Sequence, residues 1–241
     1  MSSKYISGIV LTGASDLIGE LGGNPATLFD QAGLPLSSLH DSDIPVDIAA
    51  VLKLFDSAAK ICNCRNFGMV LASRNGLDIF GPLWVLLRNA RTLRELIDDL
   101  CANYDIYTRA ATLSLEPNGN GVCLCWDTVS HSGINTAQGA EYGFALAVSE
   151  LRKFRTGFTP MAVQFRHAEP LDLIMHKQLF GDHLSFNQDR NAIHFTQADL
   201  DMSLGGGSSQ THALMRSLLR WGPLASQSAI TERIENMVRA L

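Results

Sequence analysis

Ala111-Thr112-Leu113-Ser114-Leu115-Glu116 and Val122-Cys123-Leu124-Cys125-Trp126 alternate apolar and polar residues, with Pro117-Asn118-Gly119-Asn120-Gly121 between them. A period of two is the mark of a strand with one buried face, and Asn and Gly supply the backbone conformations of a tight turn. The stretch predicts a β-hairpin. It decides the fold class because the chain before it repeats with a different period.

Upstream the period is helical. Residues 5–21 place Ile6, Ile9, Val10, Leu17, Ile18 and Leu21 at spacings that permit an amphipathic helix. Asn24-Pro25 is a helix start that runs through Leu28 and Phe29 to Gly33. Asp47 to Ile61 repeats Ile48, Val51, Leu52, Phe55 and Ala58 as one buried face. Gly81-Pro82 opens a helix through Trp84, Leu86 and Leu87, and Thr92 caps another, with Glu95 placed for a capping box. Asp98 and Asp99 fall in that helix and are read as its solvated face.

Downstream the two periods mix. A helix is expected over Gly139–Arg155, a strand over Met161–Arg166 and a short helix over Leu171–Phe180. His183–Phe186 and Ala192–Phe195 read as a second hairpin across Asn187–Asn191. Gly205–Ser209 is a flexible joint, followed by helices at His212–Arg220 and Ile230–Leu241. The expected fold is α+β: a helical amino-terminal part, a ββαβαββ antiparallel-rich sheet, then a short helical tail. Residues 1–204 are expected to form one domain and residues 205–241 a linker with helices.

Composition bounds what such a domain does. The 241 residues are 46% hydrophobic and 18% charged with a net charge of −5, an ordinary globular balance with no basic cluster for nucleic acid. Five cysteines, an odd number, and an amino terminus without an apolar leader suggest free thiols in the cytoplasm. No run is long and apolar enough to cross a bilayer, so no membrane partner is expected.

The tempting motifs fail on chemistry. Val10-Leu-Thr-Gly-Ala-Ser-Asp-Leu-Ile-Gly19 looks like a dinucleotide-binding turn, but Leu17 would fill the pyrophosphate position. None of the four tyrosines has a lysine four residues on. Cys62-x-Cys64 and Cys123-x-Cys125 lack the two-residue gap of zinc or redox pairs, and His176 and His183 share no helical face. Ser15 lacks a nucleophile elbow, and Gly205–Gly207 precedes no Lys-Ser/Thr. The reading is therefore of a protein with no cofactor, no metal and no catalytic constellation.

Three stretches carry a family signature: Phe67-Gly68-Met69 with Phe80-Gly-Pro-Leu-Trp-Val-Leu-Leu87 and Thr92-Leu93; Val163-Gln-Phe-Arg-His167 with Pro170; and Phe180-Gly181, Leu184-Ser-Phe186 and Asn191-Ala-Ile-His-Phe195. Their order and spacing resemble the amino-terminal effector domain of AraC-type transcription regulators of the arabinose-binding-like subfamily. The resemblance covers roughly residues 5–240. It implies a non-enzymatic regulatory domain that binds a small-molecule effector, forms a homodimer, and reaches DNA only through a helix-turn-helix domain following the carboxy-terminal helix. An enzyme on a similar scaffold and a dimerisation module without ligand are the alternatives.

On the predicted strands Leu113, Leu115, Val122, Leu124, Trp126, Val163, Phe165, Leu184, Phe186, Ile193 and Phe195 share one face, expected to pack on the Asp47–Ile61 and Phe80–Leu100 helices. Thr112, Ser114, Cys123, Cys125, Gln164, Arg166, Ser185 and His194 share the other. A ligand pocket is expected at the edge of the apolar face, where Trp84, Tyr104, Tyr107, Trp126 and Tyr142 converge; Arg109 either neutralises an acidic head group there or, as surface base rates favour, forms an exposed salt bridge. Helices His212–Arg220 and Gly139–Arg155 are the candidate faces for self-association.

Overall fold

The computed structural model describes residues 4–39, 41, 44–119, 121–128, 133–205 and 207–221; the helix expected over Ile230–Leu241 lies outside them. At the amino terminus β1 (Tyr5–Ser7) pairs antiparallel with β2 (Pro45–Asp47). A single 3₁₀ turn, Gly8–Leu11, follows, and α1 (Ala14–Glu20) begins only after Gly13, whose φ is +75°. The one helix expected over residues 5–21 is thus two short turns behind a strand. Gly13 breaks the helix with left-handed backbone, and residues 5–7 satisfy their amides on a distant strand.

The caps read from the sequence work as local chemistry requires. Asn24 Oδ1 accepts from Thr27 N at 3.1 Å to start α2 (Pro25–Ala32), which stops at Gly33 with φ +85°. Asp47 Oδ1 accepts from Ala49 N at 2.8 Å to start α3 (Ile48–Ile61). Next come α4 (Phe67–Ala72), α5 (Leu83–Arg88), α6 (Leu93–Ala102) and α7 (Tyr104–Tyr107). At α6 the cap differs from the expected box. Thr92 Oγ1 accepts from Glu95 N, but Glu95 Oε2 accepts from Arg91 N at 2.7 Å instead of from the cap residue.

The hairpin forms from β3 (Ala111–Asn118) and β4 (Gly121–Thr128), with Leu113 opposite Trp126 and Leu115 opposite Leu124. Pairing reaches Asn118 and Gly121, so the turn is narrower than Pro117–Gly121. Then follow α8 (Ala137–Phe154), β5 (Ala162–Gln164), α9 (Ile174–Phe180), β6 (Leu184–Ser185), β7 (Asn191–Thr196), α10 (Gln197–Leu200) and α11 (Ser209–Trp221). The molecule is an α+β protein.

The second hairpin does not form. The five-stranded sheet has the order β3-β4-β7-β5-β6: β6 runs parallel to β5 through Val163↔Leu184, and β7 lies antiparallel between β4 and β5. Residues 191–195 are all buried, as a central strand must be. Alternation tells which side chains face the core, but not which strand lies next door.

One face of the sheet packs against α6, and against α8 through Phe144 on Phe165 and Gly139 beside Trp126, with α3 and α4 behind α8. The helix at Asp47–Ile61 therefore meets α8 more than it meets the sheet. Contact between α4 and α8 is so close that a Cβ on Gly68 would lie 2.1 Å from the carbonyl oxygen of Gln138, whose side chain accepts from Gly68 N at 2.8 Å. With ten buried residues α8 is the central helix, which removes it as a face for self-association. The helix expected at His212–Arg220 belongs to α11, which buries His212, Met215 and Leu219. Among the described residues no helix is long and apolar enough to cross a membrane.

Candidate functional site

The junction of α3, α6, α7, α8 and the hairpin does not close completely. It leaves a cavity of about 140 Å³ whose walls are almost wholly hydrocarbon and aromatic. Helix α6 contributes Leu93, Leu96, Ile97 and Leu100, α3 contributes Leu52 and Phe55, and the hairpin contributes Leu113, Leu124 and Trp126. Gly139 of α8 helps keep the space: a Cβ there would sit 2.4 Å from Leu52 Cδ2 and 3.6 Å from Trp126.

Four of the six residues proposed from the sequence line this cavity: Tyr104, Tyr107, Trp126 and Tyr142. They form a connected group. Trp126 Nε1 donates to the Tyr104 hydroxyl at 3.2 Å, and Tyr104 packs on Tyr107 at 5.7 Å between ring centroids. Tyr107 meets Phe80 edge-on at 4.9 Å. Asn75 Nδ2 donates to the Tyr142 hydroxyl at 3.0 Å, and the Tyr142 ring rests on Phe55. Burial pushes the Tyr104 hydroxyl up to about 12 and raises Tyr107 and Tyr142 above the usual phenol value, so all three are neutral.

The other two residues lie elsewhere. Trp84 sits under the Arg88 guanidinium at 5.2 Å, outside the cavity. Arg109 is exposed and does not line the cavity, which fits its surface reading and not the head-group one; among the described residues no cation lines the cavity. Arg109 follows Thr108, whose buried side chain faces inward and donates to the Tyr5 carbonyl at 3.1 Å. Sequence reading missed Asn75, Phe80 and Glu150. Phe80 stood in the family signature without being read as a site residue, Asn75 and Glu150 come from segments with no local signal of a site, and only the tertiary fold gathers the three.

Two buried polar clusters flank the cavity. On α8, Glu141 Oε1 lies 2.9 Å from His176 Nε2 and 3.4 Å from His167 Nε2, all three side chains being buried or nearly so. On α6, Asp99 is buried, not solvated: its Oδ2 lies 2.6 Å from His212 Nε2, and its Oδ1 forms an ion pair with Arg216 Nε at 3.0 Å. Burial pushes the Asp99 carboxyl up, against the pull of His212 and Arg216. Position 99 falls three residues after Leu96, at the border of the apolar stripe, and that spacing was the available signal.

On the far face of the sheet Thr112, Ser114, Arg166 and Ser185 are exposed, as that face's polarity implies, whereas Cys123 and His194 are buried. His194 Nδ1 lies 2.7 Å from Asn118 Nδ2, and Nε2 lies 3.9 Å from Cys123 Sγ. Burial, then the charge of Arg190, holds the His194 imidazole below its ordinary value of 6.5. The unfolded chain therefore binds this proton more tightly, and acid favours unfolding. Stability is expected to begin falling as pH drops below about 6.5, with the loss complete once pH passes the folded-state value. Denaturant melts of the parent and His194→Gln from about pH 7.5 to about pH 5 check this: the variant should show the shallower fall. Equal slopes would remove His194 as the cause.

Among the described residues no group of three or more His, Cys, Asp and Glu is arranged to hold a metal ion, and the five cysteines are free. The site is a partly open apolar chamber with phenolic edges, suited to holding a small molecule.

The chain is similar to known regulators. The HTH-type transcriptional regulator VirS of Mycobacterium tuberculosis, from strains CDC 1551 / Oshkosh and H37Rv, is 23% identical over 234 residues, which are 96% of this chain and 69% of that protein. The crystal structure of the transcriptional regulator CdpR from Pseudomonas aeruginosa matches 70% of this chain with a TM-score of 0.52 at 12% identity, a likeness of fold. This chain covers 53% of that protein's length. Residues 22–204 match the family described as the arabinose-binding domain of AraC transcription regulator, N-term. That match spans α2 to α10 and with them the whole five-stranded sheet, so the chain belongs to the family of amino-terminal arabinose-binding domains of AraC transcription regulators.

Proposed function

We propose that this chain is the effector-sensing part of a cytoplasmic AraC-type regulator and that its effector occupies the cavity between α6, α8 and the hairpin. The observation that carries the reading is the cavity itself. A domain with this many large side chains normally packs to crystal-like density, and an apolar void left open in the centre forgoes contacts a ligand would restore. In this reading residues 1–204 form the sensing domain, and residues 205–241 lead towards a helix-turn-helix domain that makes the DNA contacts. The protein acts as a homodimer and catalyses no reaction. Wall and output share an element: α6 lines the cavity on one face and holds α11 on the other.

Mass spectrometry of organic extracts from the denatured, purified chain tests the reading, together with thermal melts against a metabolite library. The expected result is a stoichiometric small molecule in the extract, or a compound that raises the melting temperature and loses that effect when Gly139 is replaced by Leu to fill the cavity. No extractable molecule and no stabilising compound would favour a dimerisation module. Turnover of the stabilising compound would favour an enzyme.

A further inference from the structure

The polar atoms around the cavity are few enough to read one by one, and they agree on what they ask of a ligand. The Tyr104 hydroxyl accepts from Trp126 Nε1, and the Tyr142 hydroxyl accepts from Asn75 Nδ2, so each has its own proton left to give. Tyr107 lines the same wall, and its hydroxyl has no hydrogen-bond partner among the described residues. All three wall tyrosines are neutral and keep a proton to donate, and Tyr107 is the one whose hydroxyl is not already engaged.

Its electrostatics exclude a charge. Among the described residues no Lys, Arg or His lines the cavity, and the one ionisable carboxyl in its wall, Glu150, is already paired with Lys153. A carboxylate ligand would lose its hydration and face a carboxylate with no cation to meet it. A cationic ligand would find the one wall carboxyl, Glu150, already paired with Lys153 and would lose its hydration with no free counter-charge to meet it. The volume also sets a limit: about 140 Å³ compares with the roughly 150 Å³ of an apolar cavity that admits benzene.

Resting on the effector-sensing reading above, we infer that the cavity selects an uncharged, single-ring-sized hydrophobe bearing a carbonyl or ether oxygen, which Tyr107 recognises by donating a hydrogen bond. The hydrocarbon walls supply the affinity and the hydroxyl supplies the orientation and the choice. Neutral tyrosines suit this task because burial holds all three protonated across the physiological range.

Titration calorimetry of the 241-residue chain with acetophenone, ethylbenzene and benzoate tests the inference, since the three share a ring and differ in the oxygen. Acetophenone should bind more tightly than ethylbenzene by about fivefold, as one neutral hydrogen bond allows, and benzoate should not bind. Tyr107→Phe should abolish the preference for acetophenone while leaving ethylbenzene affinity unchanged, which also shows the variant folded. Benzoate binding as tightly as acetophenone would overturn the inference, as would a preference that survives Tyr107→Phe. Binding of both neutral probes without preference overturns the inference and leaves the sensing cavity standing. No binding by any of the three overturns the inference, while the sensing reading stands or falls on the extraction and melting tests above.

Discussion

Asp99→Ala is expected to destabilise the domain by about 3 kcal/mol, the lower end of what breaking a buried charged pair costs. The Asp99 carboxylate is 1% exposed and takes His212 on one oxygen and Arg216 on the other. Alanine would leave His212 buried, with only Glu95 within reach at 3.5 Å. Arg216 is about half exposed and can turn to water, which keeps the loss from the top of the range. The melting temperature should fall by roughly 6–12 °C for a chain of this size. Asp99→Asn should cost much less, because it keeps hydrogen-bonding atoms in place while removing a charge whose burial is unfavourable. Hydrogen exchange adds a local readout: amides of α11 should exchange faster in Asp99→Ala than those of β4 and β7. An alanine variant with parental melting and a protected α11 would show that the cluster does not hold the helix.

The second large effect belongs to the other buried cluster. His176→Leu should cost about 3–4 kcal/mol, since it leaves the Glu141 carboxyl buried without its best partner. Its other neighbours are weaker: His167 Nε2 stands 3.4 Å from the same oxygen, and Gln138 Nε2 donates to Oε2 at 3.4 Å. The site is otherwise aromatic, with Phe165, Phe180 and Phe186 around His176, so no water-like medium replaces the imidazole. The double variant Glu141→Leu, His176→Leu should recover much of the loss, because removing both polar partners leaves no orphan. Urea melts check this through the midpoint at constant slope. A single variant as stable as the parent, or a double variant worse than the single, would show that the pair does not stabilise the fold.

Local chemistry was legible in the sequence and distant partnership was not. Asn24, Asp47 and Thr92 announce helix starts because a cap acts within three residues of itself. The first hairpin is legible for the same reason: its partner lies one turn away. Residues 183–186 and 192–195 carry equally good alternation, yet β6 pairs with β5, some twenty residues back, and nothing local records that choice. The cavity divides similarly. Aromatics on strands and helices already placed near the apolar face, such as Trp126 and Tyr142, were found by pattern. Trp84 was assigned inward on composition alone, but it covers Arg88. Asp99 and Glu141 were missed because a charged residue on a helix defaults to water unless its neighbours in space are known.

The place of β7 bears on how the molecule comes to exist. Strands β4 and β5 do not pair with each other; they are joined in one sheet only through β7, residues 191–196. During synthesis the β3–β4 hairpin can close on its own, but the sheet has no continuous form until the chain has been made past Thr196. Bringing β4 to β7 closes a loop of some sixty residues or more, a long-range contact of the kind that slows folding. Until then the apolar faces of α6 and α8 have no complete sheet to cover them, and such exposed surface favours aggregation. A premature stop between α9 and β7 would therefore leave not a smaller domain but an aggregation-prone fragment.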